Sequence, residues 1–285
     1  MERYRGVWRI VQLASAVGLI GVWFFALLIQ PDPGGKPFGV DAYPYWSVPL
    51  DDPYRGPEAG LPGAYLYSPA FLHAITPLRL LPWEWFIGIW IAAELVALAW
   101  LLTPAGTLLA LAFPPVFSEV MIGNVHLFIA VALVLSLRYP AAWLLPLLTK
   151  PSLGVGLAFY AGRRKWRPLA VVAGVSAVVV GASFALGPGL WFDWFERLRG
   201  AGNRGGVAWT AFLVARLALA VGLSWYAGSR NRPEFLPLGA YLALPIPWLE
   251  GLTLLTAVPR LLLMGRAHRS AERSHALRQS TAGSA

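Results

Sequence analysis

The chain contains no cysteine. That absence excludes disulfides, thiol nucleophiles and cysteine-ligated metals, and it leaves the redox compartment unreadable. Charge is almost as scarce. Only 13% of the 285 residues are Asp, Glu, Lys or Arg, against roughly a quarter in a soluble domain. A soluble protein of this size would lack the polar groups to cover its own surface. Histidine is limited to His73, His126, His268 and His275. None of them has ligand spacing on a helix, so no metal or other cofactor is assigned.

What is abundant is apolar sequence. Hydrophobic residues make up 57% of the chain, and they come in runs of roughly membrane-spanning length. Fourteen Trp, often near run ends, fit interfacial anchoring as well as core filling. The net charge of +9 sits in short clusters between runs and in the tail, which is how orientation is encoded in a bilayer. Nucleic acid is therefore not an expected partner.

The sequence predicts an all-α polytopic membrane protein with about ten transmembrane helices. A first run, Arg9 to Ile29, follows Arg3 and Arg5 with no small-residue cleavage site after it, and reads as a retained helix with a cytoplasmic N-terminus. Further runs lie near 64–81, 84–103, 105–121, 124–137, 141–161, 168–186, 207–227, 235–249 and 251–264. Alternation places the Arg163–Arg167 cluster, the Arg230/Arg232 turn and the tail inside; Arg138, Arg197, Arg199 and Arg204 fall outside. One transmembrane domain over residues 1–265 is expected, with outer loops at about 31–63 and 187–206, then a disordered basic cytoplasmic tail over 266–285. Pro114, Pro115, Pro151, Pro245 and Pro247 interrupt several runs, and such breaks are tolerated where neighbours or a cavity satisfy the backbone. No internal repeat is visible.

Ionisable residues inside apolar runs mark the candidate chemistry, since each costs roughly 2.5–3.5 kcal/mol at a helix centre. Lys150 lies mid-run, just before Pro151, and is expected to face a cavity, an anion or a structural carboxylate. Glu119 is a possible partner for it, and Glu94 is either functional or a packing residue. The first outer loop carries Asp41, Tyr43, Tyr54 and Arg55 and ends in Tyr65-Leu66-Tyr67-Ser68-Pro69. Aromatic faces stack on a sugar ring, carboxylates accept its hydroxyls, and one carboxylate can act as a general base. Acidic, Tyr-rich loops are also often simple solvated connections.

The order of these features resembles the polyprenyl-phosphate-mannose-dependent glycosyltransferases of family 87, which have the GT-C fold. The resemblance runs over almost the whole chain. It starts with Asp41 after the first helix, then Pro53-Tyr54 and the Tyr65-x-Tyr67-x-Pro69 pattern. Gly123-Asn124, Lys150 before a Pro and the basic cluster follow, then an aromatic-rich loop with Trp191 and Asn203, and finally Pro245-Ile246-Pro247-Trp248. Three departures stand out. Ser68-Pro69 replaces a double Pro, Asn124 replaces a Gln, and Glu250 stands where the family often carries His.

The resemblance implies transfer of a hexose, mannose by analogy, from a polyprenyl-phosphate donor to a lipid or glycan acceptor at the extracytoplasmic face. No Gly-rich phosphate loop or nucleotide fingerprint is present, which fits a lipid-linked donor. Asp41 is the implied base. Lys150, with Arg55 or Arg204, would hold the donor phosphate. Tyr43, Tyr54, Tyr67, Glu119, Asn124, Asn203, Trp248 and Glu250 are the implied sugar or acceptor contacts. The competing readings are a transporter or lipid flippase, and a membrane protein of the same ancestry that no longer catalyses.

Overall fold

A computed structural model describes residues 39–57, 61, 63–202 and 206–265. The expected first helix, the basic tail, Asn203 and Arg204 lie outside the described residues. Within them the chain is helical throughout, with no strand. A short helix α1 (Ala42–Ser47) precedes α2 (Pro69–Arg79), α3 (Trp83–Leu101), α4 (Pro104–Leu111), α5 (Pro114–Ile122) and α6 (His126–Ser136). A 3-10 turn at Pro140–Trp143 leads into α7 (Leu144–Thr149), and another at Pro151–Leu157 into α8 (Ala158–Gly162). Then come α9 (Trp166–Leu186), α10 (Pro188–Gly202), α11 (Gly206–Ser229) and α12 (Leu236–Ala243). A 3-10 segment, Leu249–Ala257, continues as a helix over 258–265.

Local sequence explains the boundaries. Ser68 and Thr103 cap α2 and α4, each accepting a backbone N–H from three residues on, and each is followed by Pro at the first helical position. Side-chain oxygens there satisfy orphan N–H groups, and Pro has none to lose. Proline also explains why the expected crossings are not all continuous helices. Three described helices, Trp83–Leu101, Trp166–Leu186 and Trp209–Ser229, are long and apolar enough to cross a membrane. α4 and α5 make a fourth only as a pair bent by 83°, and the bend falls just before Pro114-Pro115. The remaining apolar runs form shorter, broken pieces. Gly187–Gly206 is also not the expected loop, since α10 occupies most of it.

The core is aromatic, with Tyr45, Tyr65, Phe86, Trp143 and Phe159 almost wholly buried. α11 packs closely on α8 and α12. A Cβ on Gly162 would meet the Trp225 carbonyl oxygen at 2.2 Å, and one on Gly228 the Phe159 oxygen at 2.0 Å. Only glycine allows these backbones to approach so closely. The same crossing sets Gly162 against the Ser229 backbone, so the Arg163–Arg167 and Arg230–Arg232 turns share one end of the molecule.

α11 also carries a buried Arg216 that the apolar pattern hides. Its guanidinium donates to the Leu244 carbonyl at 3.0 Å and the Tyr241 carbonyl at 3.3 Å. It thereby satisfies the carbonyl end of α12, where Leu244 already leaves the helix just ahead of Pro245. α9 is the opposite case. Only 11% of its apolar window is buried among the described residues.

Candidate active site

The site is assembled at the C-terminus of α5. Gly123 ends that helix in the left-handed region, with φ of 70°, a conformation glycine adopts without penalty. A side chain there would also meet the Cβ of Ala42 at 2.7 Å. The last carbonyls of α5 are capped from another part of the chain. Gly39 donates to Met121 at 2.8 Å and Asp41 to Ile122 at 2.9 Å. Asp41 is thus fixed by its backbone at a helix end, immediately before α1.

The turn that follows is closed from within. Glu119 has both carboxylate oxygens engaged: the His126 backbone N–H donates to one at 2.6 Å, and His126 Nδ1 lies 2.8 Å from the other. A carboxylate at the first turn of α6 satisfies a free N–H and meets the positive end of the helix. Glu119 thus spends its oxygens on His126 and forms no ion pair with Lys150 among the described residues, although the two charges act on each other. Within this loop Asn124 donates to Asp41 Oδ2 at 2.5 Å and accepts from the Val125 N–H at 2.7 Å. The Asn124 carbonyl side also takes the Tyr67 hydroxyl at 3.4 Å. Asn124 consequently orients Asp41.

Tyr67 joins this cluster to an aromatic wall. Its hydroxyl lies 2.7 Å from that of Tyr45, and its backbone carbonyl accepts from the Tyr54 hydroxyl at 2.9 Å. Edge-on packing of Tyr45 against Tyr67, with ring centres 5.0 Å apart, and against Phe71 at 5.8 Å fills the space beneath. Lys150 stands across from Tyr67 with Nζ 5.9 Å from the ring centre, at the edge of cation–π range. It ends α7 with a non-helical backbone, φ −138° and ψ 82°, as a residue before proline is steered away from the helical region. Ser68 N–H donates to the Leu148 carbonyl at 3.1 Å and holds the two segments together. Among the described residues Lys150 forms no ion pair, although Asp41, Glu119 and Glu250 all act on its charge. Glu250 accepts from Ser118 Oγ at 3.0 Å.

Asp41, Lys150 and Glu250 keep part of their surface accessible, whereas Glu119, Asn124 and His126 beneath them are buried. Burial pushes the Asp41 carboxyl above the ordinary range, and the Lys150 charge and the Asn124 hydrogen bond pull it back. The arrangement therefore brings together a held carboxylate, an ammonium with no ion pair among the described residues, and buried tyrosine rings.

Six of the residues singled out from sequence thus meet: Asp41, Tyr67, Glu119, Asn124, Lys150 and Glu250. Others do not. Arg55 is exposed and enters none of the cluster's described contacts. Trp248 is 59% exposed ahead of the 249–257 segment. Tyr43 packs on Trp46 and Trp83, on the other side of α1. Tyr54 is close but spends its hydroxyl on the Tyr67 backbone. Glu94 is fully buried beside Trp90, and neither oxygen reaches a partner at hydrogen-bond geometry among the described residues. Tyr45 and His126 are the residues that sequence reasoning missed.

The model of glycosyltransferase family 87 matches residues 65–285. The match holds Lys150, Asn124, Glu119 and Glu250 but begins after Asp41 and Tyr45, which geometry alone brings to the cluster. Comparisons with curated proteins and with solved structures give no match.

Proposed function

Because the chain belongs to glycosyltransferase family 87 and is a membrane glycosyltransferase, we propose that it transfers a hexose, mannose by preference, from a polyprenyl-phosphate donor to a lipid or glycan hydroxyl. The single observation that carries the reading is the clustering of an oriented carboxylate, Asp41, with Lys150, an ammonium that forms no ion pair among the described residues, beside the tyrosine rings. The acceptor oxygen attacks the anomeric carbon from the side opposite the phosphate. Its proton passes to the Asp41 carboxylate as the carbon–oxygen bond to phosphate breaks, and the configuration inverts. The departing polyprenyl phosphate gains negative charge, which Lys150 offsets; charge placed in advance where it develops is among the larger contributions to catalysis. Tyr67 offers a face to the sugar, and Glu250 an acceptor for its hydroxyls.

The active site faces outside in this reading. α9 starts at the Arg163–Arg167 cluster and carries near its other end Ser183, whose hydroxyl lies 2.9 Å from His73 of α2 and accepts from Trp191 at 3.2 Å. Basic turns favour the cytoplasmic side, and α9 carries the chain from them to the side of the site. Both termini are then cytoplasmic.

The test supplies purified protein in lipid with radiolabelled polyprenyl-phosphate-mannose and a membrane-lipid extract. Label moving from donor to a new lipid or glycan product supports the proposal. Absence of transfer from every polyprenyl-phosphate hexose offered would overturn it.

A further inference from the structure

α10 carries one buried aromatic stripe and, beside it, a second stripe whose rings stay largely exposed. At about 100° per residue, Trp191, Trp194 and Leu198 share one stripe, and both tryptophans are 5% exposed. This face is anchored to the site side of the molecule. Trp191 Nε1 donates to Ser183 Oγ at 3.2 Å, and Trp194 Nε1 to the Leu66 carbonyl at 3.0 Å. Arg197 donates to the Gly56 carbonyl at 3.1 Å and also to that of Pro57. Leu66 immediately precedes Tyr67 of the aromatic wall.

The second stripe holds Phe192, Phe195 and Arg199. The phenylalanines are 63% and 53% exposed, a poor arrangement for rings in contact with water. Two observations identify what covers them. Phe184, 43% exposed on α9, packs edge-on against Phe192 with ring centres 6.2 Å apart, so the stripe continues the exposed apolar surface of a helix long and apolar enough to cross a membrane. The acidic residues Asp193 and Glu196 are exposed on a separate face. A helix with rings on one side, charge on another and a spanning helix directly before it has the pattern of one lying in the membrane interface.

We infer that α10 is seated in the interfacial layer of the bilayer, on the side where the site opens, with Phe192 and Phe195 entering the acyl boundary. Asp193 and Glu196 face the aqueous side. The opposite face straps the Gly56–Pro57 and Leu66 backbones, so the lipid surface sets the height of the aromatic wall. This inference does not depend on the identity of the donor or on catalysis.

The absence of native cysteine makes the test direct. Single variants F192C, F195C, D193C and E196C carry a nitroxide label in phosphatidylcholine bilayers, and accessibility to oxygen is compared with accessibility to a water-soluble nickel chelate. The unfolding midpoint of each labelled variant is matched to the native protein first. Labels at 192 and 195 are expected to favour oxygen several-fold over those at 193 and 196. Equal, chelate-dominated accessibility at all four positions would overturn the seat. So would protection of 192 and 195 from both reagents with spin–spin broadening, which would assign that face to a second copy of the chain.

Discussion

Lys150 and Arg216 are both cations within apolar runs, and the structure employs them in opposite ways. Arg216 is buried in α11 with its guanidinium given to two carbonyls at the end of α12. Lys150 is half-buried, faces a tyrosine ring and forms no ion pair among the described residues. A planar fork with several donors suits fixed backbone acceptors, whereas a point charge on a flexible stem suits an anion that comes and goes. An ionisable group in a membrane is by default a functional candidate. The pair teaches that the default is decided by what the charge already holds.

That contrast can be broken by experiment. Lys150→Met is expected to lower transfer by roughly 10²–10³-fold, the range for loss of one preorganised charge-stabilising donor, with little change in unfolding midpoint. The same variant moves the acid limb of the pH–rate profile upward. The base acts when ionised, so transfer fails as pH falls through the Asp41 pKa. Burial already raises that pKa, and the Lys150 charge lowers it; removing the charge raises it further. Arg216→Met is expected to do the reverse, costing about 1–3 kcal/mol of stability for stranded carbonyls while transfer per folded molecule is kept. Comparable activity loss from both variants at equal stability would erase the distinction.

Smaller effects sharpen the picture around Asp41. Asn124→Ala removes the side chain that orients the carboxylate. Transfer is expected to fall about tenfold, equivalent to roughly one charge-assisted hydrogen bond, and the acid limb again moves to higher pH. An unchanged pH profile would mean that Asn124 does not act through Asp41. Tyr67→Phe removes only the hydroxyl shared with Tyr45 and Asn124. About 1 kcal/mol of stability is the expected cost, read in denaturant midpoint, with transfer changed by no more than a few-fold.

Part of the cluster was legible in the sequence because its members are costly where they stand. Glu119 and Lys150 are ionisable groups in or near apolar runs, and such groups need a reason. Asp41 and Asn124, by contrast, were named through the family resemblance. What sequence could not supply was direction. Tyr43 and Tyr45 are two residues apart on a six-residue helix, so they point to nearly opposite sides; the reading chose Tyr43, and packing turned Tyr45 inward. His126 opens an apolar helix and looks like part of the run until Glu119 is seen to grip both its backbone and its ring. Spans were legible where no proline interrupts them, as in α3, α9 and α11. Where Pro114, Pro146, Pro151 and Pro245 fall, the described chain forms short pieces in place of continuous helices. α10 was read as a loop, yet its apolar stripes follow helical spacing once Trp191, Trp194 and Leu198 are taken together.

The departures from the family pattern also acquire physical roles. Ser68 is the cap of α2, and it donates its own N–H to the segment that carries Lys150. Asn124 is short enough to reach Asp41 while its oxygen closes onto the next backbone N–H. Glu250 brings a carboxylate, held by Ser118, to the same cluster.

The most direct measurement compares native protein with Asp41→Asn, an isosteric change that keeps the hydrogen-bonding neighbours occupied but removes the base. Both are assayed in lipid with saturating polyprenyl-phosphate-mannose, with donor binding measured in parallel. The account predicts that the variant binds donor as the native protein does and transfers no detectable sugar. Native-level transfer by Asp41→Asn would contradict it.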